Sequence, residues 1–244
     1  MVEIVEKRRA GRRTGHQRLI DDLGRRIVSG AFPAGVPLPV EDLLAAELGV
    51  SRGALREAVK ALAAKGMLVI RPRTGTRVLP SDEWNHLDRD LLAWQQESDP
   101  RQLLRETGEL RRIVEPEAAR LAAKHRGNGH LPALNAALAA MEEAEARGDR
   151  AAYVEADTVF HRTLLAAGGN RLLGSLGRAI DVALRHHFAI STQTPGAATS
   201  SLPGHRAVLD AVTAGRGADA AAAVTRLITA AEQELAASPG FPAP

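Results

Sequence analysis

Cysteine is absent from the 244 residues, which excludes a disulfide framework and any zinc finger built on thiolates and suits a reducing compartment. No apolar run approaches the ~20 residues of a membrane span, and the Lys- and Arg-rich N-terminus lacks the apolar core of an export signal. A soluble, cytoplasmic chain with no membrane partner is therefore expected. Strand signals are missing beyond about residue 80. Charge is present but uneven. Residues 1–80 hold 15 Lys and Arg against 8 Asp and Glu, net +7, and the remainder is net −4. The positive charge thus lies in the stretch that carries the most informative pattern.

That pattern runs from Leu38 to Leu79. An apolar helical segment is followed by the turn Gly49-Val50-Ser51, a second helix from Arg52, and two short β-prone runs, Leu68-Val69-Ile70 and Arg77-Val78-Leu79. Leu55, Ala58, Val59 and Leu62 recur at i, i+3, i+4 and i+7, so they form one stripe that must pack inward. Arg52, Arg56 and Lys60 follow one another at i, i+4 on a different face. Ser51 is placed to cap the helix, whose positive N-terminal end would meet phosphate together with Arg52. The turn between the β runs carries Arg73 and Gly75, and glycine at the tip lets the backbone approach a groove closely. Helix, tight turn, basic helix and hairpin in this order read as a winged helix-turn-helix addressing double-stranded DNA.

Gly30 to Pro39, Leu43 to Ala45, Leu48 to Arg52, Leu55 to Ala58, Lys65-Gly66 and Gly75 to Val78 together resemble the DNA-binding domain of the GntR family of bacterial transcriptional regulators. The resemblance covers His16 to about Pro80. It implies that Arg52 and Arg56 contact guanines and backbone and that Gly75 sits in the minor groove. Family members often carry Arg at the position of Asp42 and a polar residue at that of Gly53, so the family's operator sequence does not carry over.

The segments fall as a basic arm over 1–15, expected to be mobile, the winged domain over 16–80, a helical effector-binding and dimerisation domain over 81–237, and a flexible tail over 238–244. Helices are expected over Asp82–Gln96, Pro100–Arg126, Leu131–Arg147, Arg150–Ala167, Arg171–Thr192, Leu202–Ala214 and Ala218–Ala236, with Gly or Pro at most joints. Asp82–Asp99 reads as a linker helix region, and Thr192–Pro203 as a loop able to cover a site. The fold class is mostly α, a winged helix-turn-helix followed by an all-α antiparallel bundle, an architecture that builds ligand sites between facing helices.

Within that bundle some polar residues break the apolar stripes. Val154, Asp157, His161 and Leu164 share a helix face, as do His205, Val208, Leu209 and Val212, so a carboxylate and two imidazoles point inward. Each is either a hydrogen-bonded core residue or part of a ligand set for zinc, nickel or manganese. Arg111 shares an apolar face with Thr107, Val114 and Ala118. Its guanidinium either grips an effector carboxylate from the cavity wall or closes an internal salt bridge.

Asp157 to His161, His205, and Glu109 to Ala119 resemble the FCD effector domain of the FadR subgroup of the same family, over about Trp84 to Glu234. The resemblance implies a bundle with a central cavity, a divalent metal held by Asp and three His, an organic acid beside it, and Arg111 lining the cavity. Asp157, His161 and His205 match the first three ligands, and Leu227 stands where the fourth His is expected, with His186 and His187 as substitutes. The stretch Trp84 to Trp94 also resembles regulators of sugar-acid catabolism. The reading is a homodimeric transcriptional regulator, a repressor on a palindromic operator, controlled by a small carboxylate. The alternative is a metal-dependent enzyme with a DNA-binding appendage, for which the sequence offers no convincing general base.

Overall fold

The computed structural model describes residues 2–71, 75–125, 129–193 and 196–236, with side chains from residue 15 onward except 234 and 235. The chain divides into two compact units, Met1–Ser98 and Asp99–Pro244. The tail over 238–244 lies outside the described residues.

In the first unit α1 (Val2–Val28) is followed by α2 (Glu41–Glu47), α3 (Arg52–Ala64) and a hairpin of β1 (Leu68–Arg71) and β2 (Gly75–Val78). The stretch over 1–15, expected as a mobile arm, is helical in its backbone from Val2. Leu55, Ala58 and Leu62 of α3 are buried with Leu23 and Ile27 of α1 and Leu44 of α2, so the apolar stripe does what its spacing requires. Ser51 caps α3, its Oγ accepting from the Ala54 N–H at 3.2 Å. The hairpin is antiparallel with Leu68 opposite Val78, both buried, and the segment at Pro37 bridges to Arg77 along β2.

The helix expected over Asp82–Gln96 is instead a 3-10 turn, Ser81–Glu83, and α4, Arg89–Ser98. Asp88 starts α4 by accepting from the Asp90 and Leu91 N–H groups at 3.0 and 3.2 Å, and Lys65 Nζ ties Asp88 and Asp90 to the end of α3. α4 is not a free linker. Trp94 is buried, and a Cβ on Gly24 would lie 2.4 Å from its ring, so only glycine lets α1 and α4 come this close. The first unit therefore extends past Pro80 to Ser98.

The second unit consists of α5 (Pro100–Lys124), α6 (Leu131–Ala146), α7 (Arg150–Ala167), α8 (Arg171–Ala179), α9 (Asp181–Ser191), α10 (Ala197–Thr213) and α11 (Gly217–Ala236). Asp99, Asp149 and Asn170 cap α5, α7 and α8. α5 packs on α7, α10 and α11, and α6 on α7 and α10, around Leu138, Met141, Phe160, Leu164, Val212 and Val224. The single helix expected over Arg171–Thr192 breaks at Ile180 into α8 and α9. The expected loop over Thr192–Pro203 is mostly helix, because α10 already begins at Ala197 and carries Pro203 inside it. A tertiary anchor overrides the Ser- and Thr-rich composition there: the Tyr153 hydroxyl on α7 meets Ser201 Oγ at 2.5 Å and the Ala198 carbonyl at 3.2 Å. Among the described residues no helix is long and apolar enough to cross a membrane.

Candidate functional sites

α5, α7 and α10 converge in the second unit on a group of charged and polar side chains that are almost completely buried: Arg111, Glu115, Asp157, His161 and His205. Arg111, Asp157, His161 and His205 line a cavity of about 30 Å³, shared with Phe188 of α9 and Ser201 of α10. Of the two readings of Arg111, the internal salt bridge is present among the described residues. Its Nε donates to Glu115 Oε1 at 2.8 Å, its guanidinium lies 4.5 Å over the Phe188 ring, and its Nη1 is buried with no hydrogen-bond partner among the described residues.

The imidazoles are oriented by their outer nitrogens. His161 Nδ1 is 2.7 Å from Glu115 Oε2, and His205 Nδ1 is 3.0 Å from the Ser201 carbonyl. Oxygens of both kinds accept, so each Nδ1 carries the hydrogen and, in the neutral rings, each Nε2 presents a lone pair. Those Nε2 atoms lie 3.3 Å apart and 3.3 and 3.1 Å from Asp157 Oδ1. Three acceptors thus face one another, with Arg111 Nη2 a long 3.5 Å from His161 Nε2. The remedy is a cation at the centre, either a proton or a metal ion.

Charge bookkeeping agrees. With neutral imidazoles the cluster holds one guanidinium and two carboxylates, a buried net charge of −1. Burial opposes ionisation of Glu115, but Arg111 and His161 beside it hold its carboxyl at about 2. Burial likewise opposes the Asp157 carboxylate, and His205 and His161 overcome it, so Asp157 stays well below the usual carboxylate range. Burial also works against a charged His161, yet the Glu115 carboxylate raises its affinity for a proton.

Among the described residues Asp157, His161 and His205 are the group whose ligand atoms converge for a metal, all within 4.8 Å. Leu227, at the position expected for a fourth His, lines the same cavity with an apolar side chain. His186 and His187 do not join the group. His187 is buried against α5 beside Leu104 and Gly108, and burial together with the Arg111 charge pushes it down to about 3 from 6.5.

The His187 shift has a testable sign. Below pH 6.5 the unfolded imidazole takes up a proton that the native ring refuses, so stability should fall as pH drops toward 3, by up to about 1.4 kcal/mol per pH unit. Glu115 and Asp157 begin to lose their contributions only below their ordinary values of 4.5 and 3.8. Urea melts between pH 6.5 and 4.5 therefore report His187 together with half-buried His186, whose proton affinity burial also lowers, and His187→Phe should reduce that slope. An unchanged slope in the variant would contradict this placement.

In the first unit, Arg52, Arg56 and Lys60 are exposed along α3. Each meets a carboxylate: Arg52 Nε with Asp42 Oδ1 at 2.7 Å, Arg56 Nε with Glu41 Oε1 at 2.8 Å, Lys60 Nζ with Glu57 Oε1 at 2.8 Å. Gly75 opens β2 with φ +83°, a conformation that favours glycine. Arg73 lies outside the described residues.

Residues 16–78 match the family described as bacterial regulatory proteins, gntR family, and residues 106–230 match the FCD domain. The chain belongs to the GntR family and carries an FCD domain. This GntR regulator is 36% identical over 198 residues to an uncharacterized HTH-type transcriptional regulator, YieP, of Escherichia coli K12, covering 80% of this chain and 84% of that one. It is 34% identical over 221 residues to the galactonate operon transcriptional repressor of the same organism, covering 89% and 95%. A solved GntR structure from Streptococcus agalactiae superposes with a TM-score of 0.51 at 27% identity, over 88% of this chain and 97% of that one. The chain is an effector-controlled DNA-binding transcriptional regulator, and the enzyme alternative is set aside.

Glu115, Glu41 and Asp42 were not among the site residues expected from sequence. Glu115 stands four residues after Arg111, and that i, i+4 spacing was the available signal.

Proposed function

We propose that this GntR regulator is a cytoplasmic homodimeric repressor whose FCD unit takes a divalent metal on Asp157, His161 and His205 and a small carboxylate, a sugar acid or related organic acid, beside it. The observation that carries the reading is the cavity where three buried lone-pair donors converge next to an arginine whose Nη1 has no partner among the described residues. A divalent ion changes the cluster from −1 to +1. An organic monoanion then restores neutrality and supplies the missing acceptor for Arg111. The donor set of one carboxylate and two imidazoles suits zinc, nickel or manganese, with solvent completing the shell in place of a fourth side chain at Leu227. The cavity of about 30 Å³ has room for a water or an ion, so the organic acid enters by enlarging it.

The effector class is tested by thermal melts against a panel of organic acids that includes galactonate, because a relative is named for the galactonate operon. A bound acid should raise the melting temperature in proportion to RT ln(1 + [L]/Kd), about 2.7 kcal/mol at a hundredfold excess over Kd. A shift from long-chain acyl ligands and none from short hydroxy acids would overturn the assignment.

DNA is read by Ser51, Arg52, Arg56, Lys60, Arg73 and Gly75, on a two-fold symmetric operator that doubles the few base contacts of one winged unit. Arg56→Ala should lower specific operator affinity by about 10–100-fold for each lost bidentate contact, with the melting curve unchanged. Footprinting on the chain's own promoter region is the measurement, and a mutant footprint like the parent's would refute this role for α3.

A further inference from the structure

The two recognition arginines share an unexplained detail. Each faces a carboxylate of α2, and in both cases the nearest nitrogen is Nε: Arg52 Nε forms an ion pair with Asp42 Oδ1 at 2.7 Å, and Arg56 Nε donates to Glu41 Oε2 at 2.9 Å. Among the described residues neither guanidinium uses Nη1 or Nη2 in a hydrogen bond, and both side chains are 65% exposed. Lys60 differs, since its partner Glu57 lies on the same helix and fixes no relation between helices.

We propose that Glu41 and Asp42 are specificity-determining positioning residues, which hold Arg56 and Arg52 so that their terminal amino groups face outward as parallel forks for guanine. A guanidinium has five N–H donors in a rigid plane. Anchoring Nε leaves Nη1 and Nη2 as a matched pair for the O6 and N7 acceptors that guanine shows in the major groove. The same carboxylates cancel the charge that would draw each arginine to phosphate, which is the sequence-independent and salt-dependent part of binding. Holding the fork therefore retains base reading while weakening indiscriminate attachment. The turn from Gly49 to Ser51 joins α2 to α3, so two short helices set the direction of both forks.

This inference rests on α3 being the DNA-reading helix, and the experiment separates the two. Full-length wild type, Asp42→Asn, Glu41→Gln and the double variant are each used to select duplexes from a random-sequence library, and each is titrated against poly(dA-dT) over a range of salt. Thermal melts confirm that the variants fold, and a purely structural role for the carboxylates at the start of α2 would move those melts without moving base preference. The wild type should enrich two guanines per half-site. Each single variant should lose enrichment at one guanine, and the double variant at both. Binding of the double variant to poly(dA-dT) should tighten at low salt, with a log–log salt slope steeper by about two per chain, near 0.9 for each cation released from its partner. Variants that select the wild-type sequences with the wild-type slope would overturn the inference and leave the DNA-reading role of α3 intact. A wild type that selects no sequence would overturn both.

Discussion

Arg111→Met should destabilise the FCD unit by about 3–5 kcal/mol, because it leaves Glu115 as a buried carboxylate without its guanidinium. Arg111 and Glu115 are 2% and 0% exposed in their side chains, so water cannot take over the lost partner. Sequence alone leaves Arg111 open between gripping an effector carboxylate and closing an internal salt bridge. The ion pair makes that single variant hard to interpret, since loss of response would accompany loss of fold. Arg111→Met with Glu115→Gln removes both charges and should recover most of the stability, as buried ion pairs replaced by neutral groups of similar volume often do. A denaturant double-mutant cycle measures the coupling. The recovered double variant should show no melting shift with any organic acid. If Arg111→Met alone melts like wild type, the buried pair is not holding the unit together. A double variant that still answers the acid would remove Arg111 from the effector site.

The metal should have the other large effect. Protein purified without a nickel column should carry about one divalent ion per chain, and His161→Ala should carry none. A bound ion present at a thousandfold excess over its Kd adds about 4 kcal/mol to the native state. Chelation should therefore lower the melting temperature of wild type by several degrees while leaving His161→Ala where it is. A bound ion would take the place of the proton that His161 otherwise favours, so loading should release protons, as is general for imidazole ligands. Metal-free wild type that melts unchanged and binds the acid unchanged would show that the three ligands no longer serve a metal.

Much of this was legible in the sequence because helix periodicity reports facing. Asp157 and His161 stand one turn apart on a stripe, and their burial follows from that spacing. The limits expected for α7 match the helix, which Asp149 caps by accepting from the Ala152 N–H. His205 could be placed inward by the same reasoning, but its meeting with Asp157 across 48 residues follows only from the resemblance to the FCD domain, not from periodicity. Local rules failed where a distant partner decides the outcome. The composition of 192–203 reads as loop, and the buried hydroxyl of Tyr153 turns most of it into helix. Trp94 looked like part of a linker because its partner is the bare backbone of Gly24, and the absence of a side chain leaves no signal in a hydrophobic pattern. The pairing of Arg52 and Arg56 with Asp42 and Glu41 was hidden for a related reason. Charge counts sum the signs along a segment and do not show which opposite charges meet across a turn, so the net +7 of the first 80 residues overstates what α3 offers to phosphate.

The tight cavity around Arg111 has a consequence for how the regulator reports concentration. A six-carbon acid would not fit in about 30 Å³, so an effector of the proposed class would engage only those molecules in which the walls have already parted or are made to part. The affinity read at the promoter is then the intrinsic affinity divided down by the scarcity of the open form. Packing at Phe188 and Leu227, neither of which need touch the acid, would set the threshold at which the regulator answers. Two chains with the same ligand atoms could respond to the same acid at very different levels, by differing only in how firmly their apolar neighbours hold the cavity shut.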